Sequence, residues 1–140
     1  MQSTFHIFHA DDDPEDRWLF EDVLKQCDPG VRLTQFEDGD YLLRHLQSGA
    51  PEFGTTPIVV CDMQMPLAGG AMVLRSIRNI KGWEKTPVII FTTSSFYEDV
   101  RFCLQEGALA FFTKPNTVME CVNVARKMLD CCAACRPIGA

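Results

Sequence analysis

The chain has 140 residues, 46% of them apolar, which fills one domain of ordinary size with a real core and leaves no room for a second. A formal net charge of −6 sets it against non-specific attachment to nucleic acid or an anionic membrane, both of which need clustered Lys and Arg. No run approaches the roughly 18 apolar residues of a membrane span, and Met1-Gln2-Ser3-Thr4-Phe5 lacks the basic and apolar regions of a secretory signal, so the expected compartment is the cytoplasm and the expected partners are proteins or metal ions.

Apolar runs of strand length alternate with amphipathic stretches of helix length, and Gly, Pro or Asn marks most of the joins. In chain order the expected elements are a strand over Phe5 to Ala10, a helix over Pro14 to Cys27, a strand over Val31 to Phe36 and a helix over Gly39 to Ser48. There follow a strand over Pro57 to Cys61, a helix over Ala71 to Asn79, a strand over Val88 to Thr92, a helix over Tyr97 to Glu106, a strand over Ala110 to Phe112 and a helix over Thr117 to Cys132. Pro14 suits a first helical turn. Trp18, Leu19, Val23 and Leu24 recur at helical spacing, as do Val118, Cys121, Val122, Ala125, Met128 and Leu129, which predicts faces packed on a sheet. Such alternation predicts an α/β, doubly wound parallel sheet with helices on both sides. The flavodoxin-like strand order 2-1-3-4-5 is one such arrangement, with its crevice beyond the carboxyl ends of the central strands.

Under that order the end of the first strand delivers Asp11, Asp12 and Asp13 beside Asp62, which closes the buried run Ile58-Val59-Val60-Cys61. Thr92 arrives at the end of the fourth strand and Lys114 after the fifth. Carboxylates gathered at one sheet edge repel one another unless a cation joins them, so they either carry raised pKa values or bind a hard divalent ion. Magnesium suits the set, because it is held by one or two carboxylates, several waters and a phosphate. A carboxylate beside that ion can attack phosphorus.

Asp11-Asp12, Asp62 with Met65-Pro66 and Gly70 after it, Thr92, and Lys114-Pro115 together resemble the receiver domain of two-component response regulators, over essentially the whole chain. The resemblance implies that Asp62 accepts a phosphoryl group from a histidine kinase or a histidine phosphotransfer protein. It implies that Asp11, Asp12, Asp62 and the main-chain carbonyl of Gln64 hold magnesium, that Thr92 meets the phosphoryl oxygens and that Lys114 offsets their charge. The Lys114–Pro115 peptide is expected to be cis. Thr92 and Phe111 are the expected switch pair; receivers that switch visibly often carry Tyr where Phe111 stands, and Phe cannot form the hydrogen bond that Tyr makes when swung outward. The expected product is a signalling protein whose only chemistry is on itself, with no attached output domain. Its output is expected to pass by protein contact through the face of the fourth helix, fifth strand and fifth helix, roughly Tyr97 to Cys132, with self-pairing an open alternative.

Other readings stand beside this one. Asp11 to Asp16 holds five acids in six positions and also suits a solvated helix start, the reading adopted for Asp13, Glu15 and Asp16. A magnesium-dependent hydrolase of the haloacid-dehalogenase type also attacks phosphorus with a strand-end Asp, but it needs a second acid where Gln64 stands. A receiver-fold scaffold that never takes phosphate is the third reading. His6 and His9 fall on opposite faces of one strand and cannot chelate together. The seven cysteines are expected to be reduced and mostly buried; Cys131, Cys132 and Cys135 have spacing that also suits zinc or oxidation.

Overall fold

The computed structural model describes residues 3–140. Strands and helices alternate strictly: β1 (Phe5–Ala10), α1 (Pro14–Cys27), β2 (Arg32–Phe36), α2 (Gly39–Gln47), β3 (Thr56–Cys61), α3 (Gly70–Ile77), β4 (Val88–Thr92), α4 (Tyr97–Gln105), β5 (Ala110–Thr113) and α5 (Val118–Cys131). The strands form one parallel sheet ordered β2-β1-β3-β4-β5, with Ile7 beside Ile58, Val60 beside Ile89 and Ile90 beside Phe111. This is the flavodoxin-like arrangement that the alternation predicts. The Val- and Ile-rich β3 and β4 are buried at every residue, as a central parallel strand covered on both faces must be.

Side-chain alternation along each strand divides the core in two. Ile7, Ile58, Val60, Ile89 and Phe91 pack on Phe20 and Leu24 of α1, on Met128 of α5 and on Cys132 just past its end. Phe8, Val59, Cys61, Val88 and Ile90 pack against Leu42 and Leu46 of α2, Val73, Leu74 and Ile77 of α3 and Cys103 of α4. Burying each of the large aliphatic side chains contributes about 1.5–3 kcal/mol. His6 stacks on Phe8 while His9 lies against Phe20, so the two histidines do face opposite layers.

Two packing expectations are overturned. Trp18 is 69% exposed, because at 100° per residue it stands about 160° round the helix from Phe20, and the inward stripe of α1 runs through Phe20, Val23 and Leu24. Val118 is 55% exposed; it is the first residue of α5, a helix that meets the core only from Cys121 onward. Val31 lies outside β2 because its amide is turned onto Asp28 O.

Candidate functional site

The parallel ladder carries three side chains to the carboxyl edge of the sheet and fixes their backbones there. Asp11 N donates to Phe36 O (3.1 Å), Asp62 N to Ala10 O (3.2 Å) and Lys114 N to Thr92 O (2.7 Å). Asp13 then caps α1, its carboxylate accepting from the amides of Glu15 and Asp16, with Pro14 in the first turn. Behind β3, residues 63–69 fold back so closely that a Cβ on Gly39 would lie 2.1 Å from Ala68 O and one on Gly69 2.3 Å from Met63 O. No side chain fits there. The loop is thereby held beside Asp62, whose Oδ1 accepts from Gln64 N at 3.2 Å.

Asp62 is almost fully buried, and both of its oxygens are engaged. Thr92 Oγ1 donates to Oδ1 at 2.5 Å, and Lys114 Nζ stands 2.8 Å from Oδ2. The same ammonium lies 2.7 Å from Asp11 Oδ2 and 2.8 Å from Asp16 Oδ2. Burial works against the charged form of Lys114, but the attraction of Asp11 and the hydrogen bonds to Asp16 and Asp62 outweigh it and hold the pKa above the ordinary lysine value. Asp11 is pushed above the usual carboxylate range by burial, and Lys114 and the Asp13 amide draw it only part of the way back.

Asp11 Oδ1 accepts from Asp13 N at 3.0 Å. Asp11 Oδ2 is buried without a properly directed hydrogen bond, although Lys114 is within ion-pairing distance. One oxygen from each of Asp11, Asp12 and Asp62 lies within 4.8 Å of the others, and among the described residues no other group of three acidic, His or Cys side chains does this. An under-satisfied oxygen in an all-carboxylate cluster fits a hard divalent cation. Zinc at Cys131, Cys132 and Cys135 finds no such grouping among the described residues; those thiols and the other four are free.

Asp11, Asp12, Asp62, Thr92 and Lys114 are therefore brought together. Phe111 sits further off, partly buried against the α2–α3–α4 side of the core and paired in register with Ile90. The expected cis peptide is corrected: no peptide bond among the described residues is cis, trans being favoured before proline by about 0.5–1 kcal/mol, and the long Lys114 side chain reaches the acids from that geometry. Three residues of the site escaped the sequence reading. Asp16, taken for a solvated acid, binds Lys114. Arg17 Nη1 donates to Asp11 O at 2.6 Å, and Gln35 Nε2 donates to His9 Nδ1 at 3.0 Å and to Arg17 O at 2.8 Å. The signal for Asp16 was present: with Phe20, Val23 and Leu24 it continues the inward stripe of α1 back by one turn.

The family model of the response regulator receiver domain matches residues 7–126. The chain belongs to that family. This receiver domain is similar to the two-component response regulator ARR17 of Arabidopsis thaliana, 25% identical over 138 residues that cover 94% of this chain and 89% of that one. It is also similar to ARR7 of the same plant, 28% identical over 130 residues, but spans only 62% of that protein's length. Among solved structures, a response regulator receiver domain from Rhodospirillum rubrum superposes with a TM-score of 0.81 at 21% identity, over 96% of this chain and 99% of that one. The receiver domain of sensor histidine kinase PA1611 from Pseudomonas aeruginosa, solved with a magnesium ion coordinated in the active site cleft, gives 0.69 at 22% identity over 89% and 97%. No helix among the described residues is long and apolar enough to cross a membrane.

Proposed function

We propose that this receiver takes a phosphoryl group onto a carboxylate oxygen of Asp62 from a phosphohistidine on a histidine kinase or phosphotransfer protein, and passes the signal on by protein contact. The observation that carries the proposal is the double engagement of buried Asp62, with a hydroxyl from β4 on one oxygen and the ammonium following β5 on the other.

In the transfer an O–P bond forms at Asp62 as the N–P bond of the donor breaks, and the imidazole leaves with the electron pair. Phosphoryl transfer passes through a loose transition state with charge spread over its equatorial oxygens, so an oriented nucleophile and a cationic clamp do most of what the protein can do. The Gln64 amide and the Thr92 hydroxyl orient the Asp62 carboxylate, and Lys114 supplies positive charge at its mouth. Asp11, Asp12, Asp62 and the main-chain carbonyl of Gln64 would hold magnesium, which when bound supplies charge neutralisation at the phosphoryl oxygens. The magnesium-bound relative and the carboxylate cluster of this chain support that choice of ion. The chemistry is confined to the chain's own Asp62. Gln64 stands where a hydrolase would need its acid, which supports a stored phosphoryl group over catalytic turnover.

The output surface in this reading is the face of α4, β5 and α5. Phe96 and Tyr97 at the start of α4 are about three-quarters exposed. Ser94, two residues past Thr92, is tied by its carbonyl to Thr113 Oγ1 of β5, so a displacement of Thr92 toward a phosphoryl group would pull on that face, which includes the partly buried Phe111 of β5. The acidic chain supports a protein rather than a nucleic acid or membrane partner. Incubation with phosphoramidate and magnesium, followed by intact mass, tests the proposal: the native chain gains one phosphoryl group, and Asp62→Asn gains none. A chain that stays unmodified, or that releases phosphate over many turnovers, refutes it.

A further inference from the structure

Asp16 stands 2.8 Å from Lys114 Nζ through Oδ2, yet it is outside the cluster formed by Asp11, Asp12 and Asp62. The Lys114 ammonium stands within ion-pairing distance of three acids, Asp11, Asp16 and Asp62, and donates to the last two. Two of those acids are in the set fit to hold a cation, and one of the two is the residue that would become esterified. Either event takes carboxylate charge away from Lys114. Asp16 alone among its partners belongs to neither.

We infer that Asp16 is a positioning residue, a fixed anchor that keeps Lys114 at the mouth of the crevice while its other two partners are drawn to metal and phosphoryl. The placement suits the role. Asp16 lies in the first turn of α1, its amide held by the Asp13 cap, and its side chain is only 37% exposed while that of Lys114 is 11% exposed. The anchor is built on a capped helix rather than on a loop, and α1 is itself packed on α5 through Val23, Cys121 and Ala125. A lysine without it has a flexible four-carbon stem and an open route to solvent. The inference rests on the phosphoacceptor reading of Asp62.

The isosteric Asp16→Asn tests it. Uptake of phosphoryl from phosphoramidate with magnesium is expected to slow about fivefold, the order expected of one partly exposed charge-assisted hydrogen bond, and Asp16→Glu is expected to recover most of the rate. In a Lys114→Ala background the same change is expected to have no effect, because Asp16 acts through the lysine. In the metal-free protein the ammonium resonance of Lys114 is expected to shift or exchange-broaden in Asp16→Asn, with the thermal midpoint within a few degrees of the parent chain. Native-like uptake by Asp16→Asn, an equal slowing with and without Lys114, or an unmoved Lys114 resonance would each overturn the inference. If the native chain itself takes up no phosphoryl group, the failure lies with the reading of Asp62 and this inference falls with it.

Discussion

Thr92 Oγ1 donates to Asp62 Oδ1 at 2.5 Å, a contact between two buried side chains, one closing β4 and the other directly following the adjacent strand β3. The hydroxyl expected to follow a phosphoryl group thus already holds the proposed acceptor, so phosphorylation would exchange one hydrogen bond of Thr92 for another rather than create the first. Such an exchange costs little in the resting state and leaves the direction of the equilibrium to the new charge.

Replacing Thr92 by Val keeps the shape and removes the donor. Asp62 Oδ1 then retains only the Gln64 amide, and the loss of a bond to a charged acceptor is expected to cost about 1.5–3 kcal/mol. Urea denaturation without metal reads this directly; an unchanged midpoint would show that Thr92 contributes nothing to the resting crevice.

Lys114→Ala leaves Asp11 and Asp62 buried with no cation between them. The metal-free protein is expected to lose about 3 kcal/mol, the range found when one partner of a buried pair is removed. Magnesium is expected to restore a large part of it, because the ion replaces the missing charge. The check is a pair of denaturation curves, with and without magnesium, for both chains; a loss that magnesium leaves untouched would mean that the acids do not share one cation site.

Magnesium is also expected to stabilise the native chain by mass action, by about 2.7 kcal/mol at a hundred times its dissociation constant. Asp12 is exposed, so Asp12→Asn should leave the metal-free stability within about 0.5 kcal/mol while weakening the magnesium-dependent rise. Titration calorimetry or the thermal midpoint against magnesium concentration measures both. Identical titrations for the two chains would remove Asp12 from the ligand set.

His9 supplies a pH dependence. It is fully buried, and burial first, then the charges of Lys114 and Arg17, lower its pKa to about 3, while Gln35 donates to its Nδ1, a bond that a neutral ring accepts. The unfolded chain takes up this proton near pH 6.5 and the native chain resists until far lower, so the unfolded state binds more protons between those values. Stability is expected to fall as pH drops through that window, with a slope of up to about 1.4 kcal/mol per pH unit from this one group. His9→Gln should flatten the difference between pH 7 and pH 5; parallel curves for the two chains would assign the acid sensitivity elsewhere.

On binding of a beryllofluoride mimic, amide shifts are expected to concentrate at Thr92 to Ser94, around Phe111 and along α4, the segments joined through Ser94, which bonds Thr113 of β5 and Asp99 of α4. Amides of α4 and β5 that stay in place while Asp62 shifts would move the output to another face.

How much of this was legible follows from how far apart the determining residues lie. The alternation of strands and helices, the burial of β3 and the placing of Asp62 at its end are written in local periodicity and β-branched content, which act over a few residues and survive without knowledge of the rest of the chain. The convergence of Asp11, Asp12, Asp62, Thr92 and Lys114 was also readable, because the parallel order sends every strand end to one edge. The tertiary structure alone decided which acids Lys114 would hold, that it would do so across a trans peptide, and that Trp18 would face solvent while Asp16 faced the site. Lys114 and Asp16 are 98 positions apart. A contact at that separation depends on the rotation of α1 about its axis and its seating against α5, which are set by the packing of the whole core and by no window of sequence.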